Sequence, residues 1–392
     1  MKPQDQDSSG GLPTESVHPT ITFDRAMDPS TLTSGSVVLR NGRTGSVVPA
    51  AVSYDAPTKV LTVVPVDPLV EGTGYELAVN SGSPAAPAED TSSNVMPETL
   101  NWFAVGPYQP PAVANLQAAG SPWGAGLSWT QPVNGDFSYV VIRYAAGTAP
   151  PTATTGTIGN FGSLDAGTVT GLLAGHDYAF SVFSYSMDGS LSAATSIVLA
   201  GSTTTLTSSP ASPLYRQPTT ITATVRTTDA QPAPGRTVLL YSRRTGTVPW
   251  TAIGSATTNA SGQVSVSQTP PYNMQYYAVD VGGTARMGST AMLSVPVRFA
   301  VTSSAIPATA KVGQTVRFGG VVAPARPGGR VLLEGMWSGV WHLLGYGTLT
   351  SQSSYSFAVV PTRRSTYVYR VYKEADSLLS AGATASYSIV VT

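Results

Sequence analysis

The stretch GRTVLLYSRRTGTVPW, residues 235–250, returns about ninety residues later as GRVLLEGMWSGVW, residues 329–341. In both, a Gly-Arg pair opens a run of Val and Leu, a short polar break follows, and Trp closes the phrase. Aliphatic and β-branched residues on either side of such a break read as two strands joined by a tight turn. In the second copy the turn is expected at Ser338 and Gly339. That puts Trp337 on the same side as Val331, Leu333, Val340 and Leu344, which makes it a core residue. Trp341 then faces the other way, beside Leu332 and Glu334, and Trp250 holds the matching place in the first copy. A period of about ninety residues is the size of a whole β-sandwich and too long for a solenoid repeat, so the echo marks a duplicated domain.

Composition agrees with strands throughout. Gly 39 and Pro 31, in a chain full of Val and Thr, punctuate strands and break helices, and no useful stretch keeps a 3.6-residue apolar period. The fold class is therefore all-β. A length of 392 residues allows about two to four domains. Charged residues are 11% of the chain and 21 basic side chains balance 21 acidic ones. A neutral surface offers no field to gather nucleic acid or an anionic membrane, so both drop out as partners. With no cysteine, disulfides, thiolate metal sites and a Cys nucleophile are excluded. No apolar run reaches the length of a membrane span, so no direct membrane insertion is expected. Met1–Ser16 is a polar linker without the apolar segment of a signal peptide, and the chain reads as cut from a longer precursor.

Strand-like alternation stops near Gly106–Pro111, Gly201–Thr205 and Pro296–Ser304. The pieces are 1–106, which includes the polar linker, 107–201, 202–297 and 298–392, each the size at which one sandwich closes its core. In the first, FDRAMDP (23–29), LTVVP (61–65), LVEGTGY (69–75) and NWF (101–103) resemble a bacterial Ig-like domain of surface-layer and other secreted proteins. One departure is TSSN (91–94), where that family places Gly before Asn, so the loop is expected to be built differently. The second resembles a fibronectin type III domain through LSWTQP (127–132), FSYVVIRYAAG (137–147) and GLLAGHDYAF (171–180). In it Trp129 is expected to fill the sandwich, with Val140, Ile142 and Tyr144 alternating inward on the next strand. Tyr178, six residues after Leu172, fits a tyrosine corner. The third and fourth resemble each other and the Ig-like repeats of actinobacterial extracellular proteins. The resemblances imply four tandem antiparallel β-sandwiches of Ig-like and fibronectin type III kind. With Pro-bearing linkers, an elongated array on the order of 140–160 Å is expected.

Chemistry is sparse. His18, His176 and His342 fall in three different modules, none with a second histidine at metal-ligand spacing, and no H-E-x-x-H or calcium loop occurs. Asp24 and Asp28 form a carboxylate pair, but Asp28 before Pro29 and Ser30 reads as a turn opener whose carboxylate bonds the backbone two residues on. No G-x-S-x-G elbow, S-x-x-K or phosphate-binding loop is present. The four lysines, Lys2, Lys59, Lys311 and Lys373, are expected to be solvated and to form no isopeptide link, as are the pairs Arg243 with Arg244 and Arg363 with Arg364. No catalytic residue, metal ligand or cofactor site is assigned. The best candidate binding feature is the recurrent outward pair Trp250 and Trp341, although an outward Trp more often packs on an arginine stem, a loop or a neighbouring domain.

The resulting expectation is a non-enzymatic stalk or spacer of a larger secreted or cell-surface bacterial protein, adhesive or self-assembling through its edge strands. Its partners would be other copies, surface proteins or cell-wall polysaccharide. The alternative is a carbohydrate-binding accessory region of an extracellular hydrolase.

Overall fold

The computed structural model describes residues 17–392 apart from 71, 107–108, 134–136, 188 and 248. The polar linker at 1–16, Lys2 included, lies outside the described residues. Strands account for nearly all regular structure, and the helix found among the described residues is a single 3-10 turn, Pro29–Thr31.

Alternation drives each strand into place. In Thr219–Thr227 the apolar residues Ile221, Ala223 and Val225 are buried while Thr220 and Arg226 face water. Burying a side chain such as Ile221 contributes about 1.5–3 kcal/mol, and a one-residue slip would reverse every such choice. Four separate clusters of buried apolar side chains result. They centre on Ile21, Leu61 and Phe103, on Trp129, Ile142 and Phe180, on Ile221, Leu240 and Tyr276, and on Phe299, Phe318 and Ile389.

Each cluster lies between two sheets. The first sandwich packs Thr20–Thr22, Val60–Pro65 and Ala50–Asp55 against Val47–Val48, Val37–Asn41, Thr73–Val79 and Thr99–Val105. In the second, Ala166–Thr170, Gly124–Thr130 and Ala114–Gly120 face Thr157–Gly162, Phe137–Ala146, Tyr178–Ser186 and Thr195–Leu199. The third sets Ser202–Ser209, Thr219–Thr227 and Gln263–Gln268 against Thr251–Thr257, Thr237–Arg244, Met274–Asp280 and Ser289–Val295. The fourth repeats this with Ala300–Ser303, Val316–Ala323 and Ser354–Val359 against a sheet of Val340–Thr348, Arg330–Trp337, Ser365–Lys373 and Tyr387–Val391, to which Thr309–Ala310 adds in parallel. The chain is thus all-β, a tandem series of antiparallel β-sandwiches.

These sandwiches pack into two compact units, residues up to Ala200 with Gly283–Met287, and Gly201–Gly282 with Gly288–Thr392. The five-residue piece in the first unit was not foreseen. Gly283 and Thr284 pair with Gly120 and Ala119 at the edge of the second sandwich, and Met287 is fully buried in that core.

The echoed phrase folds as two matching hairpins, Thr237–Arg244 with Thr251–Thr257 and Arg330–Trp337 with Val340–Thr348. Their registers shift at equivalent steps, between Leu240 and Tyr241 and between Leu333 and Glu334. The second sandwich shifts likewise between Ile142 and Arg143. Such a bulge places two residues opposite one and increases the local twist. At the tip of the fourth-sandwich hairpin Trp337 pairs with Val340, and Ser338 and Gly339 have φ of 54° and 76°, the two left-handed residues of a type I′ turn.

Two expectations need correcting here. Trp337 shares its side with Val331 and Leu333 but is 50% exposed, and Val340 and Leu344 are exposed as well. The hairpin continues past Gly335, the last buried position of its strand, so the face is right and no core lies beneath it. Lys373 is not solvated: it is 6% exposed, its Nζ donating to Glu374 O at 2.9 Å and lying 4.8 Å from the centre of the Phe299 ring. Burial pushes its pKa down.

Trp129 does fill the second sandwich, with Val140 and Ile142 buried beside it and Tyr144 packed against the same core. Tyr178 Oη accepts from Leu173 N at 3.0 Å, the corner expected from its spacing. The first sandwich has the same device, Tyr75 Oη accepting from Val70 N at 2.9 Å.

Candidate functional site

Trp250 and Trp341 occupy equivalent places on the outward faces of the third and fourth sandwiches, and each is half-buried. The neighbouring strands decide their environment. Tyr277 lies across from Tyr241, as Arg370 lies across from Glu334. The Arg370 guanidinium lies 4.2 Å from the Trp341 ring centre and is tied by Nε to Glu334 Oε2 at 2.6 Å. In the third sandwich Arg243 covers Trp250 at 4.3 Å and donates from Nε to Gln275 Oε1 at 2.8 Å, while the Tyr277 ring lies 5.4 Å away. Arg243 is therefore packed rather than simply solvated, whereas Arg363 and Arg364 are exposed. Each indole is held flat by a guanidinium that is itself anchored, an arrangement that fixes the ring and removes one of its faces from any ligand.

At the hairpin tip Trp337 stacks on His342, their ring centres 3.8 Å apart and planes 5° from parallel. Below it Gly335, Leu344, Val360, Pro361 and Tyr367 line a groove of about 200 Å³. The stack sets the His342 imidazole flat against an indole. His18 and His176 are exposed, as expected for surface residues.

A recess in the first sandwich holds about 400 Å³ and is lined by Phe23, Arg25, Met27, Asp90, Asn94 and Met96 among others. The Asp24 carboxylate pairs with its neighbour Arg25 at 3.3 Å while its carbonyl oxygen accepts from Lys59 Nζ at 3.1 Å, and Asp28 accepts from Ser30 N at 2.9 Å as a turn opener. The two carboxylates therefore do not act together. The carboxylate that matters locally is Asp90, which sequence reasoning missed. It accepts from Ser92 N and Asn94 N at 2.8 and 3.0 Å, from the Asn94 amide, and from Arg25 Nη1 at 3.3 Å. Hydrogen bonds from Asn94 above all hold its pKa down to about 2. Ser93, where the resembled family has Gly, takes φ of 62°. The loop keeps the left-handed bend that a Gly would supply without strain, and Asp90 stitches it shut. The signal was present in the sequence as Asp followed by Ser and Asn at turn spacing.

Among the described residues no three His, Asp or Glu side chains gather where they could hold a metal ion. Nor is any helix there long and apolar enough to cross a membrane. The buried Arg236–Asp280 pair, with Nη2 to Oδ2 at 2.6 Å, is sealed in the third sandwich with Ser202 Oγ donating to the same carboxylate at 2.8 Å.

Residues 4–103 match the family model of a bacterial Ig-like domain, which covers the first sandwich. No curated protein matches. Among solved structures, the S-layer protein rSbsC(31-844) is similar at 12% identity and a TM-score of 0.21, over 97% of this chain and 53% of that one. The chain thus spans about half the length of that protein. A tetra-tandem repeat from the extending region of a large adhesion protein shares 15% identity at a TM-score of 0.22, over 96% and 97% of the two chains. The FN1–FN3 domains of chicken CNTN1 share 11% at 0.21, over 72% and 99%. At such scores the likeness carries no argument about what the chain does.

Proposed function

We propose that the chain is a non-catalytic stalk or spacer region of a larger secreted or cell-surface bacterial protein, made of four modules at 1–106, 107–201, 202–297 and 298–392. The observation that supports this reading is that each sandwich has its own core, built almost wholly from its own strands, and that among the described residues no cluster of His, Asp or Glu gathers at one place. Stalks grow by adding such closed units, because no shared site has to be preserved. Adhesive contact or assembly with other copies would use the outward faces and edge strands. A direct test replaces these residues in the parent protein with an equal number of unrelated sandwich modules. Surface display of the remaining domains should survive the exchange. Loss of function after a swap that preserves length would sink the spacer reading.

A second reading, a carbohydrate-binding accessory region, draws on one observation: Trp250 and Trp341 are ring platforms held in place before any ligand arrives. Its test is a pull-down on insoluble polysaccharides and a glycan array with the parent chain and with Trp250→Ala and Trp341→Ala. Binding that both substitutions weaken would favour it, and no binding by the parent chain would leave the spacer.

A further inference from the structure

The segment Pro296–Phe299 joins the third sandwich to the fourth, and composition alone makes it a linker. Its surroundings say otherwise. Val297 and Phe299 are fully buried, both in the fourth core. Between them the Arg298 backbone is claimed by the third sandwich: its N donates to Pro213 O at 2.9 Å, and its O accepts from Tyr215 N at 2.8 Å. The opposite edge of the segment is claimed by the fourth, with Ser380 N donating to Val297 O at 2.8 Å and Phe299 N donating to Ser380 O at 3.1 Å. Residues 214, 298 and 380 thus form a short parallel three-strand pairing across the joint.

Asn273, in the turn before Met274–Asp280 of the third sandwich, closes this arrangement. Its Oδ1 accepts from Val297 N at 2.7 Å and from Ser380 Oγ at 3.2 Å, and its own N donates to Leu378 O at 2.8 Å. Tyr215 from the third sandwich packs its ring against the fourth core. A flexible tether leaves its N–H and C=O groups to water. Here both neighbours satisfy them, and any bend at the joint must first expose those groups.

We propose that the third and fourth sandwiches form one body that does not hinge, and that Asn273 is the latch that keeps the joint from opening. The inference concerns this joint alone and stands whatever the chain as a whole does.

The chain has no cysteine, so spin labels can be placed cleanly in the full-length protein at Ser255→Cys and Ser356→Cys, one exposed site in each sandwich. The expected distance distribution between them is narrow. Asn273→Ala should broaden it at least about twofold and speed exchange of the Val297 and Ser380 amides roughly 10- to 100-fold. Amides of Thr237–Arg244 and Arg330–Trp337 should keep their rates. Asn273→Asp, which retains the acceptor oxygen, should restore a narrow distribution. A broad distribution in the parent chain, an unchanged one in Asn273→Ala, or loss of protection throughout the third sandwich would each overturn the latch.

Discussion

Asp280→Ala is the substitution that most sharply tests how the third sandwich is held together. Asp280 is wholly buried and Arg236 is 5% exposed. The guanidinium reaches the carboxylate by Nη2 at 2.6 Å and by Nε at 3.1 and 3.2 Å, and Gly282 N adds a weaker donor at 3.3 Å. Removing the carboxylate breaks a buried, hydrogen-bonded ion pair on one side, which costs about 3–5 kcal/mol, a large part of the stability of one such domain. Hydrogen exchange followed by mass spectrometry reads this strand by strand in the intact chain. With a factor of ten for about every 1.4 kcal/mol, amides of Thr237–Arg244 and Met274–Asp280 should exchange roughly 100 to 4,000 times faster. Strands of the first sandwich, such as Val37–Asn41, should not change. Replacing both partners, Arg236→Met with Asp280→Leu, should recover most of the loss, because the desolvation cost goes with the charges. An effect of Asp280→Ala smaller than tenfold, or a double variant as unstable as the single, would refute the reasoning.

Three further outcomes follow from the geometry. Asp90 has its pKa lowered in the folded protein to about 2, so its stabilising effect is complete above the unfolded value near ~4 and is lost as pH falls through the folded one. The Ser92 and Asn94 amides should therefore lose protection between about pH 4 and pH 2, and Asp90→Asn should remove that acid step from an NMR titration. Ser93→Gly should stabilise the first sandwich by about 0.5–1 kcal/mol in thermal unfolding, since it relieves a left-handed residue at the expense of some chain entropy. Tyr178→Phe should cost the second sandwich about 0.5–1.5 kcal/mol by stranding Leu173 N, and Tyr75→Phe should do the same to the first through Val70 N, both read by denaturant unfolding.

How much of this was visible beforehand depends on the distance between the residues that act together. The duplicated hairpin could be read because turn, strand alternation and closing Trp lie within sixteen residues, and the Tyr178 corner because its acceptor geometry follows from a six-residue interval. The same interval separates Leu69 from Tyr75, and there it went unread. Trp337 shows where alternation stops helping: period two gives the side of a strand but not how far the core beneath it extends. Lys373 looked like a turn residue because charge surrounds it in sequence, while Phe299, which covers it, lies in the segment that enters the module. The joint at Pro296–Phe299 was hidden for the same reason. Its partners, Pro213, Tyr215, Asn273 and Ser380, come from three loops spread along the chain, and no local pattern links them. At Trp250 and Trp341 the sequence marked the outward position, and the structure added the anchored arginine that covers each ring.

The central claim is that the described residues form sandwiches, each with its own core, in which no set of chemically reactive side chains converges. The most direct measurement is the melting of the full-length protein against a panel of divalent metals, mono- and oligosaccharides, nucleotides and short peptides. A ligand held at a hundred times its dissociation constant would add about 2.7 kcal/mol and raise the transition by several degrees. The account predicts no saturable shift with any member of the panel. A saturable shift with one of them, abolished by a single substitution in a recess such as that of Arg25 and Asp90, would contradict it.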